Sequence, residues 1–266
     1  MIRALALVFL LLSPWGGAVA QTVSPNVVAE LAPQGKLRVA INFGNPVLVQ
    51  KDPASGEPRG VSPDLARELA RRLGVPAEFI VFDAAGKVFE AVKRGEIDLV
   101  FLAIDPVRGA ELDFSGPYVQ IEGVYLVPSG SPLKSLDEVD RAGVRVAVAR
   151  GSAYDLYLTR ALKQATLVRE QNGPEALDMF ARDKLEAAAG VKQAIDAFAA
   201  QHPDMRVVPG RFMVIEQAVG TPKGRPAGVR FLRAFVEEMK ASGFVAAALA
   251  RSGRADATVA PPSPRD

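Results

Sequence analysis

The sequence contains no cysteine, a single histidine and a single tryptophan in 266 residues, and its 32 basic side chains are nearly balanced by 30 acidic ones. Without cysteine there can be no disulfide, no zinc–thiolate site, no thiol nucleophile and no lipid-modified cysteine at a processed N-terminus. The one histidine, His202, stands in Gln201-His202-Pro203-Asp204, which reads as a helix exit with a solvated side chain rather than a catalytic base. Near-neutral charge gives no electrostatic case for nucleic acid or a membrane surface as partner. There is also no phosphate-cradling glycine loop and no cluster of metal ligands, so neither cofactor nor metal is expected.

Long apolar runs are scarce as well, and the clearest is at the start. Met1-Ile2-Arg3 is a short positive segment, Ala4 to Leu12 is unbroken apolar sequence, and Ala18-Val19-Ala20 is a small-residue cleavage site. The run is far shorter than the roughly 20 residues a spanning helix needs and is followed by Pro14, Gly16 and Gly17. Residues 1–20 therefore read as a signal peptide cleaved after Ala20, with the mature protein free in the periplasm. Its removal takes away Arg3 alone among charged residues.

What remains alternates strand and helix. Lys36 to Asn42 reads as a buried strand, and Ser62 to about Leu73 as a helix. Ser62 is its expected N-cap, Pro63 its first helical residue and Gly74 its stop. Strand Glu78 to Phe82, helix Lys87 to Lys93 and strand Ile97 to Ala103 complete a first round, the pattern of parallel strands with crossover helices. The order then recurs. Val144-Arg145-Val146-Ala147-Val148 echoes Leu37-Arg38-Val39-Ala40-Ile41, and residues 179–189 echo residues 91–101 as helix end, charged turn and strand.

Tyr118 to Pro128 and Met213 to Gly220 are strand-like throughout and lie where two lobes would be joined by paired extended connections. After them, Pro226 to Lys240 and Gly243 to Ala250 read as amphipathic helices returning to the first lobe. The expected organisation is a first lobe of residues 21–121 and 219–251, a second lobe of 122–218, and a disordered, proline-rich tail of 252–266.

Five segments in this order resemble periplasmic solute-binding proteins of family 3, which serve polar amino acid transporters. They are GKLRVAINFGNP (35–46), GVSPDLARELARRLGV (60–75), AVKRGEIDLVFLA (91–103), Arg108 with DFSGPY (113–118), and ARGSAYDLYL (149–158). The resemblance implies an α/β, two-lobed Venus-flytrap fold that closes on an amino acid or related organic acid. It also implies delivery of that solute to an ABC transporter permease by a protein expected to be monomeric.

The expected ligand site lies beyond the carboxyl ends of the strands, where open α/β sheets bind small molecules. Arg108 follows the third strand by five residues, and in the family the arginine before the DFS-PY motif clamps the ligand carboxylate with two parallel donors. Gly151, Ser152 and Ala153 open a helix after the repeated strand and would offer amides to an anion, although Ser152 has the alternative role of capping that helix. Asn42, Phe43 and Asn45 occupy the matching turn of the first lobe, with Phe43 either over the ligand or in the core.

The sequence also departs from the family. Members that bind α-amino acids carry an aspartate for the ammonium group where Val191 stands here, followed by Lys192. The hydroxyl-bearing residues usually found before the arginine are replaced by Ala103 and Asp105. A ligand without an α-ammonium group, or one held through Asp105, is the expected consequence. The competing reading is a cyclohexadienyl or arogenate dehydratase on the same fold. It needs an acid or base over the ligand, for which Asp105, Asp155 and Glu122 are the candidates.

Overall fold

A computed structural model describes residues 23–264. The signal peptide and its cleavage after Ala20 lie outside these residues. Helix α1 (Pro25–Leu31) precedes β1 (Leu37–Asn42), a small hairpin of β2 (Gln50–Lys51) and β3 (Pro58–Arg59), α2 (Val61–Leu73), β4 (Ala77–Phe82), α3 (Ala85–Lys93) and β5 (Leu99–Ala103). A short 3₁₀ turn at Arg108–Ala110 leads into β6 (Leu112–Pro128). The second round is β7 (Arg145–Ala149), α4 (Ala153–Ala161), β8 (Thr166–Glu170), α5 (Gly173–Arg182), β9 (Ala187–Val191), α6 (Lys192–Gln201) and β10 (Met205–Val207). The chain returns through β11 (Met213–Pro222) to α7 (Pro226–Ala241), α8 (Phe244–Arg251) and β12 (Thr258–Val259).

The strands run in the order β4-β1-β5-β11-β6-β9-β7-β8. β1 is parallel to β4 and β5, and β7 is parallel to β8 and β9. These two parallel units make the lobes. Between them β6 and β11 run antiparallel from Met213 opposite Gly123 to Pro222 opposite Leu112. Two long strands therefore join the lobes, as the strand-like connections implied, and β6 begins six residues earlier than Tyr118, at Leu112, and takes in the whole DFSGPY segment.

The repeat holds at the level of side chains. Arg38 forks onto Asp98 through Nε (2.7 Å) and Nη2 (2.9 Å), and Arg145 forks onto Glu186 through Nε and Nη2, both at 2.9 Å. In each round, an arginine on the first strand ties down the turn before the third. Asp98 is fully buried and also accepts from Arg225 Nη2 at 3.0 Å, so α7 is anchored to the first lobe through the same carboxylate. Val229, Leu232, Phe235, Val236 and Met239 of α7 are buried, and the last four share a cluster with Leu37, Leu65 and Leu69.

Two expectations need correction. Ser62 does not cap α2: its hydroxyl is buried and bonded to the Tyr118 hydroxyl at 2.8 Å, and the cap position falls to Gly60. Gly60 has φ +121, and a β-carbon there would lie 2.5 Å from the Leu48 carbonyl oxygen, so only glycine fits. The tail is ordered as far as it is described, to residue 264, because β12 adds to the outer edge of β6, pairing Val259 with Val119 and Thr258 with Gln120. Ala260 is buried and donates to the Tyr118 carbonyl, and Lys240 donates to the carbonyls of both Pro117 and Pro261. An open edge beside β6 satisfies the backbone of a segment whose composition alone looked unstructured.

Candidate functional site

Every parallel strand that borders the gap between the lobes ends at it. Asn42 closes β1, Asp83 to Ala85 follow β4, Ala103 closes β5, Ala149 closes β7 and Val191 closes β9. All of these line one cavity, together with Arg108, Ser152, Ala153, Tyr154, Gly173, and Ile215 and Gln217 of β11. The space available to the centres of water-sized bodies is about 50 Å³, a few times the 10–15 Å³ that one water needs.

Arg108 is the centre of this cavity. It is 1% exposed, the largest fully buried side chain among the described residues. Its Nη1 donates to the Ala103 carbonyl at 2.9 Å, within the first lobe, and its Nη2 donates to the Gly151 carbonyl at 3.0 Å, across the gap. Its Nε–H is buried with no partner. Burial pushes the guanidinium down to about 10, with the nearby Asp105 carboxylate opposing the shift, so it stays charged at neutral pH. A buried cation with an unused donor is costly unless an anion completes it.

The lobes are closed on each other. Arg160 of α4 donates to Asp105 Oδ2 at 2.7 Å, bridging second lobe to first. Gly86 of α3 lies against Gly151: a β-carbon on Gly86 would sit 2.7 Å from the Arg150 carbonyl oxygen and 3.4 Å from Gly151 Cα.

The expected site residues divide between cavity wall and elsewhere. Asn42, Asn45, Ala103, Arg108, Ser152, Ala153 and Val191 line the cavity. Gly151 does not line it and contributes only the carbonyl that meets Arg108. Its amide donates to Asp155 Oδ2 at 2.8 Å and the Ser152 amide to the Ala149 carbonyl, so neither is free for an anion. Ser152 caps α4, accepting from the Asp155 amide at 3.0 Å. The Ala153 amide, at the first helical position, has no intrahelical acceptor. Phe43 lines an adjoining groove instead.

Asp105 does not line the cavity; its Oδ2 accepts from Arg160 and its Oδ1 from the Val107 amide at 2.8 Å. Lys192 points its ammonium at Asp196, 2.7 Å away one helical turn on, and lines a different surface with Glu122 and Arg211. Asp155 and Glu122 are likewise neutralised, by Arg169 (2.8 Å) and Arg211 (2.7 Å).

Tyr154 and Gln217 are among the wall residues that local sequence pattern did not single out. Tyr154 is buried, and desolvation raises its phenol to about 12, partly offset by the Ser152 hydroxyl, so it is neutral at pH 7. Gln217 is buried and its side-chain amide has no hydrogen-bond partner among the described residues. It lies on a returning strand 109 positions from Arg108, and no local motif marks it. Tyr154 stands inside the matched segment 149–158 and was legible as the residue after Ala153.

Paired α/β lobes, a double-strand hinge and an arginine buried where strand ends converge together make the architecture of a type II periplasmic-binding fold. Sequence comparison places it further: the chain belongs to the bacterial extracellular solute-binding proteins, family 3, whose profile matches residues 37–253. A probable histidine-binding protein of Neisseria gonorrhoeae is 26% identical over 249 residues, 90% of either chain. A glutamine-binding protein of Geobacillus stearothermophilus is 24% identical over 202 residues, 74% of this chain and 77% of that one. Among solved structures, an ancestral amino acid-binding protein that is a precursor of cyclohexadienyl dehydratase matches with a TM-score of 0.70. It is 24% identical and covers 84% of this chain and 97% of its own. These relatives are binding proteins.

Proposed function

We propose that this chain is the extracytoplasmic substrate-binding component of an ABC transporter, capturing a small carboxylate-bearing solute between its lobes and releasing it unchanged to a permease. The observation that carries this is Arg108, whose buried charge and unpartnered Nε lie on the wall of a cavity formed only when the lobes meet. A carboxylate there would replace the water lost by the guanidinium with a charge-assisted hydrogen bond. The lobes would be residues 21–121 with 219–251, and 122–218, rotating about β6 and β11.

Closure gives the test. Native mass spectrometry of the purified protein identifies a retained acid, and small-angle scattering then compares stripped with saturated protein. The radius of gyration is expected to fall on saturation, and an unchanged value would mean a fixed cleft. Export gives another: intact-mass measurement of protein from the periplasm is expected to start at Gln21, and a mass that includes residues 1–20 would refute cleavage after Ala20.

The acid or base candidates of the dehydratase reading are engaged elsewhere. Asp105, Asp155 and Glu122 are each held by an arginine, and His202 stacks on Phe198 at 3.9 Å and lies outside the cavity. Incubation with prephenate or arogenate is expected to yield no aromatic product.

A further inference from the structure

We infer that the ligand is a carboxylic acid with an apolar body and no α-ammonium group, its head at Arg108 and its tail in a groove on the second lobe. This rests on the carboxylate-binding reading above and concerns what surrounds the carboxylate.

The cavity around Arg108 is too small for a whole solute of ordinary size. Its about 50 Å³ adjoins a groove of about 370 Å³, and the two share Gly44, Tyr154, Gly173 and Val191 as wall residues. That shared wall is the neck between them. The groove is apolar, lined by Phe43 and Pro46 from the first lobe and by Leu177, Ala194, Ile195 and Phe198 from the second. Gly86 and Gly151, which meet backbone to backbone, do not line the cavity. A ligand larger than its carboxylate has room past Val191 in apolar surroundings, where burial of each CH₂ favours binding by roughly fourfold.

Charge excludes the amine. Of the acids on the two walls, Asp83 is exposed and paired with Lys87 at 2.8 Å, and Asp178 is exposed on the outer rim of the groove. Asp105 and Asp155 are committed to Arg160 and Arg169. At the neck stands Val191, 9% exposed, so an ammonium beside the head would lose water and meet a hydrocarbon. Neutral Gln217 and Tyr154 complete the surroundings of the head.

Calorimetry of the full mature chain with five probes tests this: 4-methylpentanoate, 3-phenylpropanoate, leucine, glutamine and succinate. The two apolar acids are expected to bind at least tenfold more tightly than the others. Ala194→Glu, which puts charge into the groove, is expected to weaken them at least tenfold. Val191→Asp is expected to reverse the preference between 4-methylpentanoate and leucine. If leucine or glutamine binds best and Arg108→Ala abolishes that binding, the carboxylate site stands and the inference about its surroundings falls. Preference for succinate, or no binding by any probe, overturns it too. If Arg108→Ala leaves the affinity of the best probe unchanged, the carboxylate reading itself has failed.

Discussion

Replacing Arg108 by alanine is expected to weaken ligand binding by about 10- to 150-fold. A charge-assisted hydrogen bond contributes about 1.5 to 3 kcal/mol, and each 1.4 kcal/mol is a factor of about ten in affinity. The ligand-free protein should suffer much less. Arg108 carries its charge in a buried site without an anion, and removal of that desolvated charge offsets the two carbonyl bonds lost to Ala103 and Gly151. Arg108→Met, which keeps the volume, is the companion variant. Both are expected to melt close to the parent without ligand and to show the loss only in calorimetry. Unchanged affinity in a folded variant would remove Arg108 from the site.

Gly86→Ala is expected to weaken binding by about 5- to 150-fold through a different route. The added methyl would meet the Arg150 carbonyl oxygen at 2.7 Å, and that contact exists only because the lobes are closed. Overpacking of this kind costs about 1 to 3 kcal/mol. In the open form the same substitution should be favourable, since Gly86 lies in α3 and alanine is preferred to glycine in a helix by about 0.5 to 1 kcal/mol. The signature is thus an unfolding temperature maintained or raised without ligand, combined with lost affinity and a radius of gyration that no longer falls on saturation. A variant that binds and closes like the parent would show that Gly86 does not set the closed geometry.

How far the site could be read before the fold depended on whether chemistry and position lay in one stretch of chain. Arg108 stands five residues beyond a strand whose five positions are all buried, and its neighbours in sequence form the rim on which it works. Asn42, Ala103, Ser152 and Val191 are similar: each is at or just past a strand end, so local pattern was enough to bring it to the cavity. Asp105 and Lys192 show the limit. Both occupy strand-end positions, but an ion pair with Arg160 in one case and with Asp196 in the other directs the carboxylate and the ammonium away.

Local pattern along the chain is enough to give the alternation of strand and helix, its repetition, and the two extended connections. These follow from hydrophobic periodicity and from glycine and proline punctuation, which act over a few residues. Long-range packing is what turns the Ser62 hydroxyl to Tyr118 rather than the helix end, pairs the C-terminal segment with the edge of β6, and brings Gln217 and Arg108 into one cavity. Each of these joins groups at least 56 positions apart along the chain, and such contacts are set by how whole elements pack, which no local window of sequence contains.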